Sequence, residues 1–301
     1  MDYFILMRPT LFLPLWLFFL LGAHFADGSL TYRSSIIFIL YTLLMGGVYI
    51  LNQIVDRESD KKNEKLYLLS LGIIPLKCAF IEMILLFIIP LGLSFLFGKF
   101  ILIYFLLSLL MGITYSIPPI EIKSRPFLDI LWNGVGYGVL AFIAGWISFR
   151  PPTLWMWIHA IPYFLAVSAV FVNTTIPDIK GDQLEGKITT GVFLGKKKTL
   201  FLGIILDVLA IIASCAIGDF ICGVGAGLSL PIFIYAWARP TKKAILFSFR
   251  AIPTILAIEV FIISPIIIPL FLLILLIQKI YYKRKFNINY PSLFSGKDKS
   301  F

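Results

Sequence analysis

Three polar residues spaced four apart, Asn52, Asp56 and Asp60, stand where a long apolar run gives way to charge. In a continuous helix this spacing places side chains on one face, so the amide and both carboxylates would point the same way. Carboxylate oxygens that leave room for phosphate oxygens are the usual ligands of Mg²⁺. The pattern therefore suggests a Mg²⁺ site; the alternative is three hydrated side chains on a loop.

A second acidic pair, Asp178 and Asp182, has the same spacing and also follows a long apolar run. Pro177 and Gly181 precede the two acids and are expected to loosen or kink the backbone. Two such pairs at equivalent exits from different helices predict one shared site, in which two Mg²⁺ ions bridge a diphosphate. The predicted metal ligands are Asn52, Asp56, Asp60, Asp178 and Asp182.

Basic residues accompany both acidic motifs and would neutralise the remaining phosphate charge. Those predicted to contact a diphosphate, together with Asn52, are Arg57, Lys123, Arg125, Lys180 and Lys187, with Lys65 as a further candidate. Arg57 and Lys65 have a second explanation, because cytoplasmic loops of membrane proteins are generally basic. The predicted catalytic residues are Asp56, Asp60, Asp178, Asp182 and Tyr115. If the diphosphate leaves from an allylic carbon, the ring of Tyr115 would stabilise the carbocation that remains. The alternative is that Tyr115 is an interfacial tyrosine.

Composition sets the class of protein. Hydrophobic residues make up 59% and charged residues 14% of the 301, and the mean hydropathy is +0.95. Soluble domains are far more charged, and the apolar runs reach the roughly 20 residues that cross a bilayer. The sequence thus predicts an all-α polytopic membrane protein with about nine transmembrane helices. The scattered Cys and His residues exclude a metal cluster of those types, and loop charges explain the net charge of +10 without nucleic acid.

The predicted spans cover approximately 11–23, 34–52, 73–97, 100–117, 127–148, 153–175, 199–217, 220–238 and 251–281. The last stretch contains three prolines and is either one tilted, kinked helix or two shorter pieces. Residues 34–125 and 153–250 repeat one order: span, acidic exit, span, turn, span and basic loop. This order predicts a bundle of pseudo-repeats around a central cavity, with the site at their interface. Residues 1–301 are interpreted as a single domain with a basic tail at about 282–301.

Charge in the loops predicts the orientation. The loops on one face hold only Arg33, Lys99 and Arg150, whereas the loops on the other face hold many Lys and Arg residues. By the positive-inside rule the richer face, which carries both acidic motifs, is cytoplasmic. We therefore expect an integral protein of the cell membrane whose site opens to the cytoplasm. Nine spans would, however, put the basic tail on the opposite face.

These motifs together resemble the UbiA superfamily of intramembrane prenyltransferases. The matching segments are Asn52-x₃-Asp56-x₃-Asp60, Asp178-x₃-Asp182-x₃-Gly186-Lys187, Tyr115-Ser-x-Pro-Pro119 with Lys123, and Arg8-Pro9. The resemblance covers about residues 8 to 250. It implies nine transmembrane helices, bound Mg²⁺, and transfer of a prenyl group from a polyprenyl diphosphate to a lipophilic acceptor. Departure of the diphosphate would leave an allylic carbocation.

Three positions depart from the family pattern. The family has Asn-x₃-Arg-Pro after its first motif, whereas Asn63 is followed here by Glu64-Lys65-Leu66-Tyr67. Thr175 stands where the family often has another Asp, and the spacing from Tyr115 to Lys123 exceeds the compact Tyr-x₃-Lys form. These departures bear on affinity and acceptor class more than on the reaction.

Two other function classes also use acidic residues in membrane proteins. A secondary transporter would place its cation site near the bilayer midplane, but the predicted spans are almost free of ionisable groups, with Glu82 and Glu259 as the exceptions, and the acids cluster at one edge. A Mg²⁺-dependent phosphatidyl-type transferase would need Asp-Gly and Ala-Arg elements upstream of its acids, and none precedes Asp56. The sequence does not identify the acceptor or the length of the prenyl chain.

Overall fold

The computed structural model describes residues 1–28, 31–62 and 66–291, without the side chain of Lys62. Within these ranges the chain is helical and has no strand. Eight helices are long and apolar enough to cross a membrane by length and composition, and Pro9–Phe25 is a shorter apolar helix. These nine helices agree with the predicted number, and one more apolar helix follows them.

We number the ten helices in chain order as α1 (Pro9–Phe25), α2 (Tyr32–Val55), α3 (Leu76–Phe97), α4 (Lys99–Ser116), α5 (Leu128–Ile147), α6 (Leu154–Thr174), α7 (Thr190–Ile217), α8 (Phe220–Ala238), α9 (Lys242–Ile263) and α10 (Ile267–Phe286). Short helices occupy Asp2–Leu6, Arg57–Lys62, Tyr67–Ser70 and Ile179–Leu184, and a 3₁₀ turn spans Ile122–Ser124.

Helix α1 runs through the centre of the molecule and is buried on nearly all sides. It approaches α5 closely because both helices carry glycine at the crossing. A Cβ atom at Gly22 would lie 1.8 Å from the carbonyl oxygen of Phe142, and one at Gly145 would lie 1.8 Å from that of Phe19. Small residues allow such backbone contact between helices in lipid. The core is therefore built around α1 and α5.

Helix α5 also packs closely against α6, as the Gly134/Gly138 spacing predicts. A Cβ atom at Gly138 would lie 2.6 Å from the carbonyl oxygen of Tyr163, and one at Gly134 would lie 2.4 Å from the Ser168 hydroxyl. Across this contact α5 adopts π-helical turns, over Gly134–Ala141. Such turns often occur beside functional sites.

The two predicted repeats have the same helical order. Helix α2 leads into the short helix Arg57–Lys62, and α6 leads into the short helix Ile179–Leu184. In each repeat a tight turn then joins the next two long helices, and a glycine with positive φ occupies it: Gly98 at 110° and Gly218 at 73°. Residues with a Cβ rarely adopt this backbone conformation. The acidic segments therefore occupy equivalent places in the two halves.

The last apolar stretch is two helices. Helix α9 ends before Ser264 and Pro265, and α10 then runs back toward the N-terminus. The C-terminal end of α10 contacts the first short helix, where Lys285 Nζ lies 2.5 Å from Asp2 Oδ2 and the Tyr281 hydroxyl 2.7 Å from Asp2 Oδ1. The ring of Phe286 packs on that of Tyr67, with centroids 5.1 Å apart. The end of α10 thus lies beside the loop after α2.

This arrangement corrects two expectations about charge. Lys283, Arg284 and Lys285 lie on the face of the acidic motifs, not on the opposite face, because α10 adds one reversal of chain direction. Lys242, Lys243 and Arg250 lie within α9 and not in a loop before it. The predicted tail is helical as far as Phe286, and residues 292–301 lie outside the described residues. A single domain and a central cavity stay predictions.

Candidate active site

The first acidic motif lies at the end of α2, and the i, i+4 relation of its residues is kept. The amide of Asp56 bonds the Asn52 carbonyl at 2.9 Å, and the amide of Asp60 bonds the Asp56 carbonyl at 2.8 Å. The Asn52 side chain donates to Asp56 Oδ2 at 2.9 Å. Asn52 therefore orients a carboxylate oxygen, and its role as a metal ligand stays a prediction.

The second acidic motif forms the short helix after α6. Helix α6 ends at Thr174, a turn containing Pro177 follows, and Asp178 begins the helix Ile179–Leu184. The amide of Asp182 bonds the Asp178 carbonyl at 2.9 Å. The Thr189 hydroxyl donates to Asp182 Oδ2 at 3.0 Å. The loop after the motif thus fixes one of its carboxylates.

Direct contacts join the two motifs. The Ser59 hydroxyl, from the first short helix, donates to Glu185 Oε1 at 2.6 Å. Lys187 Nζ lies 2.7 Å from Glu185 Oε2, and the charges of both Asp56 and Asp182 act on this ammonium. The ends of α2 and α6 therefore meet on one face of the bundle, as the spacing of the motifs predicts.

A third segment, after α4, reaches the same place. Lys123 lies in the 3₁₀ turn, and its Nζ is 2.5 Å from Asp56 Oδ1. The two side chains are only 11% and 21% exposed, so solvent screens this pair less than an ordinary surface pair. Lys123 is thus the basic residue most directly associated with the first motif.

The other predicted basic residues differ in their surroundings. Arg57 Nε donates to the Leu69 carbonyl at 3.2 Å. Arg125 donates to the Ile120 carbonyl at 2.7 Å and to the Pro119 carbonyl at 2.8 Å. Both guanidinium groups therefore hold loops in place. Lys180 is exposed on the second short helix. Lys65 lies outside the described residues.

Tyr115 lies one residue before the end of α4 and is half-buried. Its side chain contacts Asn133 of α5, and Asp56, Asp129 and Tyr137 lie within electrostatic range. Tyr137 in turn shares a 2.8 Å hydrogen bond with Tyr49. Tyr115 thus faces the interior between α2, α4 and α5. Its role toward a substrate stays a prediction.

Two groups in the site have perturbed acidities. Burial raises the pKa of Asp182, the nearby charge of Asp178 raises it further, and the hydrogen bond from Thr189 opposes the rise. For Lys187, burial lowers the pKa, but the contact with Glu185 and the charges of Asp56 and Asp182 outweigh it and raise the pKa. Like charges gathered in a partly buried place favour a bound cation.

Within residues 1–28, 31–62 and 66–291, no three Asp, Glu, His or Cys side chains converge closely enough to hold a metal ion alone. Each motif offers a pair of carboxylates instead. Mg²⁺ is usually held by one or two carboxylates while substrate phosphates supply further ligands. This oxygen-only donor set therefore fits a complex of Mg²⁺ with diphosphate better than it fits an isolated metal ion.

Sequence reasoning missed two features. Asp129 and Asp207 lie inside α5 and α7 and are almost fully buried, although the expected acids within the spans are only Glu82 and Glu259; of the two, Asp129 lies beside the site. An acid inside an apolar run is a signal that could have identified Asp129. The contact between Ser59 and Glu185 has no signal in sequence, because it joins residues 126 positions apart.

Comparison with known proteins agrees with this fold. A structure of a UbiA homologue from Archaeoglobus fulgidus, bound to GPP and Mg²⁺, superposes with a TM-score of 0.68 at 20% identity. The match covers 87% of this chain and 98% of that one. At 20% identity, this likeness shows that the two proteins share a fold.

Two relatives are similar in sequence. The bacteriochlorophyll synthase 34 kDa chain of Chloroflexus aurantiacus is 29% identical over 198 residues, which are 64% of this chain and 63% of that protein. The lycopene elongase/hydratase of Corynebacterium glutamicum is 26% identical over 205 residues, which are 65% of this chain and 69% of that protein. The family model of the UbiA prenyltransferase family matches residues 11–252. This chain therefore belongs to the UbiA prenyltransferase family.

Proposed function

We propose that the protein transfers a prenyl group from a polyprenyl diphosphate to a lipophilic acceptor within the membrane. The observation that carries this proposal is the meeting of two acidic helix ends, linked by the bond from Ser59 to Glu185 and by Lys187 between them. Two acidic helix ends at the edge of an apolar bundle suit a substrate with a charged head and a hydrocarbon tail. Family membership favours this reaction over transport and over phosphatidyl transfer.

The roles of the acidic residues follow from their positions. Asp56 and Asp60 would hold one Mg²⁺ ion, and Asp178 and Asp182 a second, with Asn52 orienting Asp56. When bound, the metal neutralises the oxygens of the leaving diphosphate. The number of ions, two, is part of the proposal.

The basic residues differ in how directly they would contact the diphosphate. Lys123 and Lys187 sit among the acids and would bind the diphosphate oxygens once these compete for the ammonium groups. Lys180 is exposed nearby and would contribute charge. Arg57 and Arg125 would act by holding their loops, since backbone carbonyls already engage their guanidinium groups.

The reaction breaks the bond between the first prenyl carbon and the diphosphate oxygen. The electron pair leaves with the diphosphate, so an allylic carbocation forms and then bonds to the acceptor, which loses a proton. The Tyr115 ring, facing the interior, would stabilise this cation through its negative face. Lipid and the apolar helices would exclude water from it.

We infer that the site opens to the cytoplasm from the cell membrane. The acidic face also carries the basic end of α10, so the positive-inside rule, applied to this segment, supports the same orientation. The acceptor is proposed only as a lipophilic molecule, because the named relatives differ in the product that they make.

The proposal is tested with purified protein in lipid, labelled geranylgeranyl diphosphate, Mg²⁺ and a panel of acceptors that includes a carotenoid and a tetrapyrrole. We expect a prenylated lipid by mass spectrometry and an equal amount of released diphosphate, both abolished by EDTA. Uptake of the diphosphate without chemical change would support transport. Absence of any product with every acceptor, including membrane lipid extract, would contradict the transferase.

A further inference from the structure

The carboxylate of Asp129 joins the start of α5 to the start of α7. It is 1% exposed. Its Oδ2 accepts from the Thr190 amide at 2.8 Å, and its Oδ1 accepts from the Thr190 hydroxyl. The Thr190 hydroxyl in turn accepts from the Phe127 amide at 2.7 Å. One buried acid therefore fixes both the backbone and the side chain of Thr190.

The neighbouring Thr189 touches the acidic site. Thr189 is the N-cap residue of α7, yet its side chain makes no capping hydrogen bond. Threonine at this position normally accepts a hydrogen bond from an amide of its own helix. Here its hydroxyl donates to Asp182 Oδ2 at 3.0 Å. Asp129, from another helix, holds the backbone of Thr190 and thereby fixes the position of the adjacent Thr189, whose hydroxyl reaches Asp182.

Asp129 also lies on the path to Tyr115. The Asn133 side chain donates to the Asp129 carbonyl at 2.8 Å and contacts the side chain of Tyr115. The same turn of α5 therefore supports both the residue that holds Asp182 and the aromatic side chain that faces the interior. Burying a carboxylate is costly unless several donors satisfy it, and an apolar residue in place of Asp129 would lose both hydrogen bonds to Thr190.

We propose that Asp129 is a positioning residue for the second acidic motif, acting through Thr190 and Thr189 to orient the Asp182 carboxylate for metal binding. The inference rests on the proposed function only in assigning Asp182 to a divalent cation. Without Asp129, the amide and hydroxyl of Thr190 lose their shared acceptor, so the backbone at the start of α7 can shift and move the Thr189 hydroxyl away from Asp182. Groups that orient metal ligands in this way typically change metal affinity by about 10- to 100-fold.

The experiment measures binding of Mn²⁺, a paramagnetic substitute for Mg²⁺, to the full chain in nanodiscs with inorganic diphosphate present. Free Mn²⁺ is read by electron paramagnetic resonance, so no turnover is needed. We expect Asp129→Ala to raise the Kd for Mn²⁺ by about 10- to 100-fold, and Thr189→Val to raise it similarly. Asp129→Asn, which keeps one acceptor but places an amide against the Thr190 donors, should give a smaller rise and covers the case that the alanine variant does not fold.

Asp219 provides the matched control. It is also buried, at 2% exposed, and also accepts bonds near the start of a helix, from the Cys222 amide at 3.0 Å and the Tyr163 hydroxyl at 3.3 Å. It lies before α8 in the turn that faces away from the acidic motifs. Asp219→Ala should therefore cost stability while leaving the Kd for Mn²⁺ unchanged.

A double variant distinguishes a positioning role of Asp129 from a general loss of stability. If Asp129 acts through Thr189, then Asp129→Ala adds nothing to the Kd once Thr189→Val is present, because the two residues act in series. Fully additive effects would overturn the proposal, and so would a folded Asp129→Ala or Asp129→Asn protein with wild-type affinity. If the wild type binds Mn²⁺ and diphosphate but forms no prenylated product, the transferase proposal fails while this one stands.

Discussion

At the scale of single residues, spacing in the sequence identifies the acids but not their partners. Asn52, Asp56 and Asp60 keep their i, i+4 relation in the structure, because that relation depends on local helical geometry alone. The basic residues near them look alike in sequence. Only the fold shows that Lys123 reaches a carboxylate while Arg57 and Arg125 reach backbone carbonyls. Those carbonyls belong to the segments between the long helices, whose conformation is not given by residue spacing.

The contact between Lys123 and Asp56 gives a prediction about substrate binding. Lys123→Met should lower kcat/KM for the prenyl diphosphate by about 10- to 100-fold, since hydrogen bonds to charged groups contribute about 1.5–3 kcal/mol. The Mg²⁺ concentration for half-maximal rate should not rise, because Asp56 loses a competitor for the metal. Steady-state kinetics at varied Mg²⁺ measure both quantities.

Lys197 is a suitable control for this substitution, because it is an exposed lysine of the same face near the start of α7. Lys197→Met should leave both constants unchanged. A Lys123→Met protein with wild-type kcat/KM would show that this ammonium does not meet the diphosphate.

At the scale of helices, apolar runs locate most of the elements, and glycine spacing predicts where they approach. The end of the chain was harder to predict. Apolar residues continue from 251 to 281 on both sides of Pro265, so composition does not reveal where the chain reverses. The contact between Lys285 of α10 and Asp2 shows that the chain reverses after α9. That contact joins residues 283 positions apart.

The close packing of α1 against α5 predicts how much stability is lost when one methyl group is added at the crossing. Gly145→Ala places a Cβ against the Phe19 carbonyl oxygen, a backbone atom that cannot rotate away. We expect destabilisation of about 1–3 kcal/mol, seen as a lower Tm in detergent. Gly136→Ala, in the same helix with no atom within 4 Å of the new Cβ, should keep the wild-type Tm or exceed it. Equal behaviour of the two variants would argue against the close crossing.

The contact between Asp2 and α10 predicts a dependence on pH. Hydrogen bonds from Lys285 and Tyr281 lower the pKa of Asp2 below its ordinary value. A lowered pKa means that the contact stabilises the docked helix above the ordinary carboxyl pKa of 3.8, and that this contribution is lost as pH falls through the lowered value. Asp2→Asn should remove the contribution at neutral pH and speed hydrogen exchange in the last turns of α10.

Asp27→Asn serves as the comparison, because Asp27 also pairs with a basic residue, Arg150, but is 78% exposed and lies on the face opposite the last turns of α10. It should leave exchange in α10 unchanged. Unaltered exchange in the Asp2→Asn protein would mean that packing of Phe286 on Tyr67 suffices to dock the helix.

At the scale of the whole molecule, the order of helices places four loops, those after α2, α4, α6 and α8, and both described terminal segments on one face. The sequence predicts both acidic motifs on the face of the basic loops, and the helix order agrees; that this face is cytoplasmic stays a prediction. The conflict with the basic tail arises only if residues 251–281 form one helix, and it disappears because they form two. The expectation of equivalent acidic exits in two repeats needed no knowledge of packing and agrees with the helical order of both halves.

This arrangement predicts labelling by a membrane-impermeant maleimide. In a background with the three cysteines replaced by serine, Arg284→Cys and Lys197→Cys should react from the cytoplasmic side, and Arg150→Cys from the other side. All three side chains are exposed, so access and not burial decides the result. If Arg284→Cys and Arg150→Cys are labelled from the same side, the end of α10 does not lie on the face of the acidic motifs.

The central claim is that the two acidic motifs form one site for a metal–diphosphate complex. It is tested most directly by the stoichiometry and affinity of inorganic diphosphate binding in the presence of Mn²⁺. One diphosphate and two Mn²⁺ should bind per wild-type chain, and Asp56→Ala or Asp178→Ala alone should abolish tight diphosphate binding, with Asp219→Ala as the folded control. If either single variant keeps tight binding through its remaining motif, the motifs act separately and the shared site is contradicted.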